Sequence, residues 1–260
     1  MRDDIIVLAD SKDREAWLAA RRKVLSASDV ASVLGFGYTS RNKVLAEKGA
    51  GVVDKSDDVS GFAQVEAGSF MEPAVAAWFG KDHGSVEGCG QLMARKERPW
   101  VAATPDFILN GKTPVEVKCV GFETRANWHV NSTPTKGWPE QFPLPVPVDI
   151  KTRYPTQNLR VAAADLGTPR GLFREAVQEL YKTHLPALGA PCAPVKYWCQ
   201  LQVQMYVLGE EHGWVTVAIG GTCRIDLLYR RDEEFLAYWL GEAETFWGEV
   251  LEAKLALEGL

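Results

Sequence analysis

The sequence has no run of about 20 apolar residues, the length that a transmembrane helix requires. Its N-terminus, Met1-Arg2-Asp3-Asp4 followed by four apolar residues, lacks the layout of a signal peptide. Its five cysteines are odd in number and include no C-x-x-C pair, so neither a disulfide framework nor a zinc ribbon is favoured. No internal repeat is present. We therefore expect a cytoplasmic protein with reduced, mostly buried thiols.

The chain also has no excess of positive charge. The 260 residues include 29 Lys and Arg against 34 Asp and Glu, which gives a net charge of −5. This balance argues against a non-specific basic coat for nucleic acid, although it is compatible with a local basic groove. With 46% hydrophobic and 24% charged residues, the composition predicts one well-packed globular domain or two small ones.

The clearest indication of chemistry is Thr104-Pro105-Asp106 followed by Glu116-Val117-Lys118. In a strand over residues 115–120, alternation directs the two valines and the cysteine into a core and places Glu116 and Lys118 side by side on the other face. Two acids and a lysine on neighbouring strands can hold a divalent metal and orient a water. Taken alone, however, the pattern fits an ordinary solvated hairpin better.

The rest of the chain is predicted to contain further helices and strands. Predicted helices cover residues 11–24 with Ser11 as the cap, 29–34, 40–48 closed by Gly49, 60–81 with a kink or fresh start near Pro73, 172–184, 195–208 and 232–257. Predicted strands cover residues 91–94, 100–103, 106–109, 115–120, 214–219 and 224–228, with hairpin turns at Asn110-Gly111 and Gly220-Gly221. Residues 51–59 predict a polar loop.

Three further segments contain polar or charged side chains that could belong to the same site. They are Gly68-Ser69-Phe70-Met71-Glu72-Pro73, Tyr197-x-x-Gln200-x-Gln202, and Trp17-x-x-x-Arg21 with Ser26-Ala27-Ser28. Each also has a plain structural interpretation. The first fits a helix start, Gln200 and Gln204 fit the wet face of a helix, and Ser26 with Asp29 fits a capping box in which Asp replaces Glu. Their occurrence in one order with the strand motif favours a shared site.

This order of elements resembles the PD-(D/E)xK nuclease fold, and the four segments resemble the branch that contains lambda exonuclease and the YqaJ-type viral recombinases. The resemblance covers approximately residues 15–120 and 195–250. It implies an α/β (α+β), restriction-endonuclease-like core with a mixed central sheet flanked by helices. The single domain 1–260 would comprise N-terminal helices (1–50), a nuclease core (60–120 and 195–260) and a proline-rich insertion (121–194).

The resemblance also implies a set of catalytic residues. The set is Glu72, Asp106, Glu116, Lys118 and Gln200. Asp106, Glu116 and the backbone carbonyl of Val117 would hold Mg²⁺, or Mn²⁺ in its place, because oxygen ligands suit hard cations. Glu72 would complete the acidic cluster around two ions. Lys118 would orient the attacking water.

Substrate contacts follow from the same resemblance. Arg21, Ser28 and Thr104 would bind a terminal 5′-phosphate, because a guanidinium contacts phosphate in bidentate fashion and hydroxyls add donors. Gln200 would position the water or Lys118, and Tyr197 would line the site. Arg21 is otherwise an ordinary surface residue of an amphipathic helix.

The insertion is the clear departure from this branch. Its cations are Lys136, Lys151, Arg153, Arg160, Arg170 and Arg174, interleaved with Trp128, Trp138 and Tyr154. Cations and aromatic rings together are suited to contact a DNA strand. A proline-stiffened decoration of the surface, or a contact with another subunit, explains the same composition equally well.

These features predict a Mg²⁺-dependent 5′→3′ exonuclease that acts on ends of double-stranded DNA and releases 5′-mononucleotides. The resemblance implies a single-strand annealing partner in phage-type recombination, a bacterial host cytoplasm and a ring-shaped homotrimer. A related endonuclease of the restriction or defence type is one alternative. A catalytically inactive DNA-binding relative is the other.

Overall fold

The computed structural model describes residues 3–51, 62–131, 133, 135–153, 189–221 and 223–259. The predicted helix 172–184 and most of the predicted loop 51–59 lie outside the described residues, as do Tyr154, Arg160, Arg170 and Arg174. Within the described ranges, no helix combines the length and the apolar character that crossing a bilayer would take.

The described chain contains both helices and strands, with most of the strands in one run after α4. The α-helices are α1 (Arg14–Arg22), α2 (Val30–Val33), α3 (Arg41–Ala50), α4 (Ala63–His83), α5 (Val195–Leu208) and α6 (Glu233–Glu258), and 3-10 helices cover Ala27–Asp29 and Phe122–Trp128. The strands are β1 (Ile5–Asp10), β2 (Leu25–Ser26), β3 (Val86–Gly88), β4 (Gln91–Arg95), β5 (Arg98–Ala103), β6 (Phe107–Leu109), β7 (Thr113–Val120), β8 (Asp149–Arg153), β9 (His212–Ile219) and β10 (Cys223–Arg230).

The strands form two mixed sheets. The larger sheet has the order β3-β6-β7-β9-β10-β8, in which only β7 and β9 run parallel. The smaller sheet has the order β1-β4-β5-β2, with β2 parallel to β5. The tight turn between β6 and β7 is the predicted Asn110-Gly111, where both residues have positive φ angles of 50° and 74°.

Helix α5 lies at the centre of the molecule. It contacts β7 and β9 of the larger sheet and also β4 and β5 of the smaller sheet. Most of its residues are therefore buried, including Gln202 and Gln204. The interpretation of Gln200 and Gln204 as a wet helix face is therefore wrong for Gln204, which is fully buried.

Helix α4 covers the opposite face of the larger sheet, where Val75 and Phe79 pack against Val115 and Val117. It runs without interruption through Pro73, so the predicted fresh helix start is wrong. A proline removes only one internal hydrogen bond, and the packed second half of the helix supplies the stabilisation that offsets this loss.

A buried polar network fixes the C-terminal end of α4 on the sheet. Asp82 accepts hydrogen bonds from Arg153 and Arg224, and these contacts hold the pKa of Asp82 well below its usual range. Asp226 accepts from Arg224 at 2.9 Å and lies 3.0 Å from Nε2 of His83. Because Arg224 is completely buried, its charge depends on these carboxylates.

Two predicted caps differ from the structure. Helix α1 begins after Asp13, whose side chain accepts from the backbone N of Ala16, and not after Ser11. Helix α3 is closed by Gly51, with a φ of 65°, and not by Gly49. The prediction at Ser26 is confirmed, since Asp29 accepts from its backbone N at 2.8 Å.

Candidate active site

Strand β7 carries the motif Glu116-Val117-Lys118 with side chains alternating as the sequence predicts. Val117 faces α4 and is fully buried. Glu116 is also fully buried, because α5 covers the face that it shares with Lys118. The acidic face of this strand is therefore one wall of an interior cleft, and the solvated-hairpin interpretation is excluded.

Three side chains donate hydrogen bonds to the Glu116 carboxylate. Lys118 Nζ and Gln200 Nε2 both donate to Oε1, the latter at 2.7 Å. Gln204 Nε2 donates to Oε2 at 2.6 Å. A fully buried carboxylate requires such donors, and together they fix its orientation.

Asp106 lies immediately before β6 and faces the same cleft. Its Oδ2 accepts a hydrogen bond from the backbone N of Val117 at 2.8 Å and lies 3.8 Å from Lys118 Nζ. Burial is the main cause that raises the pKa of Asp106 to about 7, and repulsion from Glu116 and Glu72 adds to it. The acids of the site are thus crowded enough to disfavour full ionisation in the absence of a cation.

Lys118 is a stable cation in this arrangement. Burial alone would lower its pKa, but the neighbouring carboxylates of Glu116 and Asp106 raise the pKa well above its ordinary value. Its ammonium also lies 5.3 Å from the ring centroid of Tyr197. Lys118 therefore supplies positive charge at the point where the two carboxylates and α5 meet.

Glu72 approaches the cleft from α4 and is half-buried. Burial is the main cause that raises the pKa of Glu72; Glu116 raises it further, and Lys118 opposes this effect. Within the described residues, no three His, Cys, Asp or Glu side chains lie close enough together to enclose a metal ion by themselves. The four predicted acidic and basic groups share one electrostatic environment, but the carboxylates do not form a closed cage.

The donor chemistry nevertheless fits a divalent cation. Asp106 and Glu116 offer hard carboxylate oxygens, and the repulsion that raises the pKa of Asp106 is what a cation would relieve. Because the carboxylates do not form a cage, the remaining ligands would be the backbone carbonyl of Val117 and water. Such an open, oxygen-only set favours Mg²⁺ or Mn²⁺ over zinc.

A second polar group lies at the N-terminal helices. Arg21 donates to Oγ of Ser28 at 2.7 Å. Ser28 in turn lies 2.9 Å from Oγ of Ser26. The buried Lys48 holds this group in place: its Nζ lies 3.2 Å from Oδ2 of Asp29 and donates to the backbone O of Arg21 at 3.0 Å. The sequence predicted the arginine and the serines but not this lysine.

A cavity of about 270 Å³ extends from this second group to α5, and we refer to it as the Arg21 cavity. Its walls include Arg21, Ser28, Tyr38, Lys196, Tyr197 and Gln200. Gln200 is the shared element, because it lines the cavity and donates to Glu116. The site residues predicted from α1, α5 and β7 are thus brought together by a single helix.

Thr104 is placed differently. It does not belong to the walls of the Arg21 cavity. It follows β5, which runs parallel to β2 with Ser26 opposite Ala102, so Thr104 and Ser28 leave the sheet at the same end. The Thr104 hydroxyl is buried and has no hydrogen-bond partner among the described residues, as expected for a donor whose acceptor is a ligand.

Gln204 and Gln202 of α5 have different roles, which the sequence motif did not distinguish. Gln204, which was absent from the predicted set, contacts Glu116 directly. Gln202, which belongs to the motif, bonds the backbone O of Arg230 and the backbone N of Asp232 and so fixes the start of α6. The spacing of four residues between Gln200 and Gln204 was the available signal, because it places both amides on one helix face.

Comparison with known families decides the relationship. A family model described as the YqaJ-like viral recombinase domain matches residues 16–148, just over half of the chain. The chain belongs to this family. The matched stretch of the YqaJ-like domain carries the predicted Arg21, Glu72, Asp106, Glu116 and Lys118, whereas α5 lies beyond it. The recognition made from the sequence motifs is confirmed.

Solved structures agree with the YqaJ-like assignment. An alkaline exonuclease, LHK-Exo, from Laribacter hongkongensis is 18% identical with a TM-score of 0.57, over 94% of this chain and 96% of that chain. A second LHK-Exo structure, in complex with dAMP, is 18% identical with a TM-score of 0.56 over the same shares of the two chains. None of the curated protein sequences compared with this chain matches it. The predicted PD-(D/E)xK fold is confirmed, with the difference that the helices flank two mixed sheets and not the single central sheet that was predicted.

Proposed function

We propose that this protein is a Mg²⁺-dependent exonuclease that degrades the 5′-ended strand of double-stranded DNA from its terminus. Membership of the YqaJ-like viral recombinase family supports a phage-type exonuclease. The more specific elements of the proposal are the polarity, the metal and the release of 5′-mononucleotides, and they rest on the arrangement of the site.

One observation carries the proposal. The Arg21 cavity and the carboxylates of β7 are separate groups that share Gln200, whose amide donates to Glu116 at 2.7 Å. A terminal phosphate held by Arg21 and Ser28 would leave the next phosphodiester near Glu116. A cleft that binds a strand end beside its hydrolytic groups removes terminal nucleotides.

Asp106, Glu116 and the carbonyl of Val117 would hold Mg²⁺, or Mn²⁺ in its place, with Glu72 bound through water or a second ion. When bound, such ions stabilise the charge that develops on the attacking and leaving oxygens. Lys118 supplies a fixed ammonium that can hold a water beside the scissile phosphate. Its contacts with Glu116 and Asp106 keep that ammonium in place.

The geometry of α5 supports the remaining roles. Gln200 and Gln204 hold the two oxygens of Glu116 in one orientation. Oε1 accepts from both Lys118 and Gln200, whereas Oε2 accepts from Gln204 and keeps a second lone pair for a cation. Tyr197 covers Lys118 with its ring and excludes bulk water from that side. In the relative from Laribacter hongkongensis, the bound dAMP is a nucleoside monophosphate, which agrees with the proposed class of product.

The biological setting is part of the same proposal. A 5′→3′ exonuclease leaves a 3′ overhang, the substrate of a single-strand annealing protein, which we propose as the partner in phage-type recombination. We place this activity in the cytoplasm of a bacterial host. A homotrimeric ring that encircles the duplex would account for processive digestion.

Digestion of defined DNA ends tests the proposal. Linear duplex with a 5′-phosphate should be degraded in Mg²⁺ to mononucleotides, linear duplex with a 5′-hydroxyl should be degraded more slowly, and closed circles should resist. Equal cutting of circles and of both linear forms would instead identify an endonuclease. Binding of all three without any cleavage in Mg²⁺ or Mn²⁺ would identify an inactive DNA-binding relative.

A further inference from the structure

The mouth of the Arg21 cavity contains an aromatic ring and a cation that the proposed catalytic set does not use. Tyr38 is 81% exposed, although it is a large aromatic side chain on the cavity wall. Lys196 Nζ lies 3.4 Å from the centroid of the Tyr38 ring and 5.0 Å from that of Tyr197. The hydroxyls of the two tyrosines are 3.0 Å apart. One face of the Tyr38 ring is therefore covered by an ammonium and the ring remains largely open to solvent.

The backbone holds Tyr38 in this exposed position. The preceding turn needs glycine at Gly35, which has a φ of 91°. It also needs glycine at Gly37, where a Cβ would lie 2.2 Å from the Ser32 hydroxyl oxygen. Two residues later, Ser40 caps α3 through a hydrogen bond to the backbone N of Lys43. A ring fixed between a constrained turn and a capped helix is preorganised for contact.

The charge at the mouth is positive. The acids on the cavity wall, Asp29 and Glu47, lie 3.2 Å and 3.8 Å from Lys48 Nζ. Lys48, together with Arg21 and Lys196 on the wall, supplies three positive charges against these two negative ones. Lys196 has no carboxylate partner in the part of the chain that the structure describes; its contacts are the two tyrosine rings. Burial would raise the pKa of Tyr38, but Lys196, Tyr197 and Lys118 lower it overall, which reflects the same local excess of positive charge.

We propose that Tyr38 and Lys196 form a nucleotide subsite at the mouth of the Arg21 cavity. The open face of the Tyr38 ring stacks on the base of the terminal nucleotide, and Lys196 contacts the phosphodiester that follows it. This inference rests on the proposed function, since it assumes a strand end in the cavity. Stacking on an aromatic ring tolerates every base, and an ammonium beside the ring neutralises the phosphate without reading sequence.

Fluorescence of a terminal base tests the subsite. The probe is a short 5′-phosphorylated duplex with 2-aminopurine at the first position, titrated in EDTA so that metal-dependent cleavage is absent. Binding should quench the fluorescence of the terminal 2-aminopurine, both with the unaltered protein and with Tyr38→Phe, which keeps the ring. Tyr38→Ala should abolish the quenching and weaken binding by about five- to a hundredfold. Because Tyr38 is exposed, this variant should retain its fold.

The salt dependence of DNA binding tests the proposed phosphate contact of Lys196. Lys196→Met should reduce the slope of log K against log salt by about 0.7 to 0.9, the change for one lost phosphate contact. Lys254→Met is the matched control, because Lys254 also lies over an aromatic ring, Trp247 at 5.1 Å, but on α6 outside the cavity walls. Its slope should equal that of the unaltered protein.

The outcomes separate this inference from the proposed function. Quenching that persists in Tyr38→Ala, or an unchanged slope in Lys196→Met, would overturn the subsite even if the protein digests 5′-phosphorylated duplex. Quenching that depends on Tyr38 in a protein that cleaves nothing in Mg²⁺ would support the subsite and overturn the exonuclease. Absence of quenching by the unaltered protein would overturn the subsite as well.

Discussion

The side-chain amide of Gln200 donates a 2.7 Å hydrogen bond to Oε1 of Glu116, across 84 positions of the chain. The same glutamine lines the Arg21 cavity. A single side chain thus contacts the carboxylate that would hold a metal and the space that would hold a strand end. The predictions below probe the two sides of this contact.

Lys118→Ala should reduce cleavage of linear duplex by at least about a hundredfold, the usual loss when a positioned group that acts on the reacting water is removed. DNA binding should be nearly unchanged, because the lysine faces Glu116 and Asp106 and not the surface. Single-turnover digestion and a parallel binding assay measure the two effects. Lys112→Ala, an exposed lysine in the β6–β7 turn, is the control and should behave as the unaltered protein. Normal cleavage by Lys118→Ala would contradict the site.

Asp106→Asn should stabilise the metal-free protein above neutral pH. The pKa of Asp106 is about 7 in the folded state, against about 3.9 in an unfolded chain. Between these values the folded state binds more protons, so stability falls as pH rises from about 4 through 7. In EDTA the loss of unfolding free energy should be on the order of 4 kcal/mol, since each pKa unit corresponds to about 1.4 kcal/mol, and Asp106→Asn should lack it.

Urea unfolding in EDTA at several pH values between 4 and 8 measures this difference. The amide oxygen introduced by Asp106→Asn can still accept the hydrogen bond from the backbone N of Val117, so the fold is not otherwise perturbed. Addition of Mg²⁺ should restore stability to the unaltered protein and not to the variant. Parallel pH profiles for the two proteins in EDTA would show that Asp106 is not the group responsible.

Gln204→Leu should raise the Mg²⁺ concentration for half-maximal activity about tenfold or more, because groups that orient a ligand affect metal affinity to that extent. The variant leaves Oε2 of the buried Glu116 without its donor, which should cost on the order of 2 kcal/mol in stability. Removal of the Gln204 Oε1, which is buried without a hydrogen-bond partner among the described residues, offsets part of this loss. Metal titrations of activity and a thermal melt measure both quantities.

Gln202→Leu is the contrasting control for this helix. It would remove the partly buried hydrogen bonds to the backbone of Arg230 and Asp232, at a cost of about 1 kcal/mol in stability. Its Mg²⁺ requirement should stay unchanged, because Gln202 does not contact Glu116. A Mg²⁺ requirement that shifts equally in both variants would mean that Gln204 acts only through the general packing of α5.

Asp82→Asn should destabilise the protein at neutral pH by about 3 kcal/mol, because it leaves the fully buried Arg224 with only Asp226 as a carboxylate partner. The pKa of Asp82 is lowered in the folded state, chiefly by Arg153 and Arg224. Its contribution is therefore present above the unfolded value of about 4 and is lost as pH falls below it.

Unfolding midpoints measured from pH 7 downwards test the sign of this effect. The unaltered protein should lose stability on acidification more steeply than Asp82→Asn. Asp149→Asn, which changes an exposed carboxylate at the start of β8, should follow the unaltered protein. A steeper acid loss in Asp82→Asn than in the unaltered protein would have the wrong sign for a paired carboxylate.

The sequence was sufficient wherever the determining interactions are local. Alternation along β7 predicted the faces of Val117 and Lys118, and Asn110-Gly111 predicted the turn before them. Helix α5 was predicted with the bounds that the structure has, because a continuous apolar pattern is bounded by Pro194 and Gly209.

The sequence was insufficient wherever a side chain acts on a distant partner. Lys48 looks like a solvated helix residue, and its burial depends on Asp29 and the backbone of Arg21. The short strand β8 is mostly polar in sequence, which does not predict a strand. It is formed by antiparallel pairing with β10. The cleft over Glu116 likewise required the packing of α5 between two sheets, which no local pattern specifies.

The central position of α5 constrains how this protein can diversify. One helix presents Tyr197 and Gln200 to the Arg21 cavity and Gln204 to Glu116. A substitution that shifted this helix would therefore move a wall of the Arg21 cavity and the Glu116 carboxylate at the same time. We expect that the shape of the cavity can be altered without disturbing Glu116 only from the turn at Tyr38 and the loops around the cavity, and not from the helix.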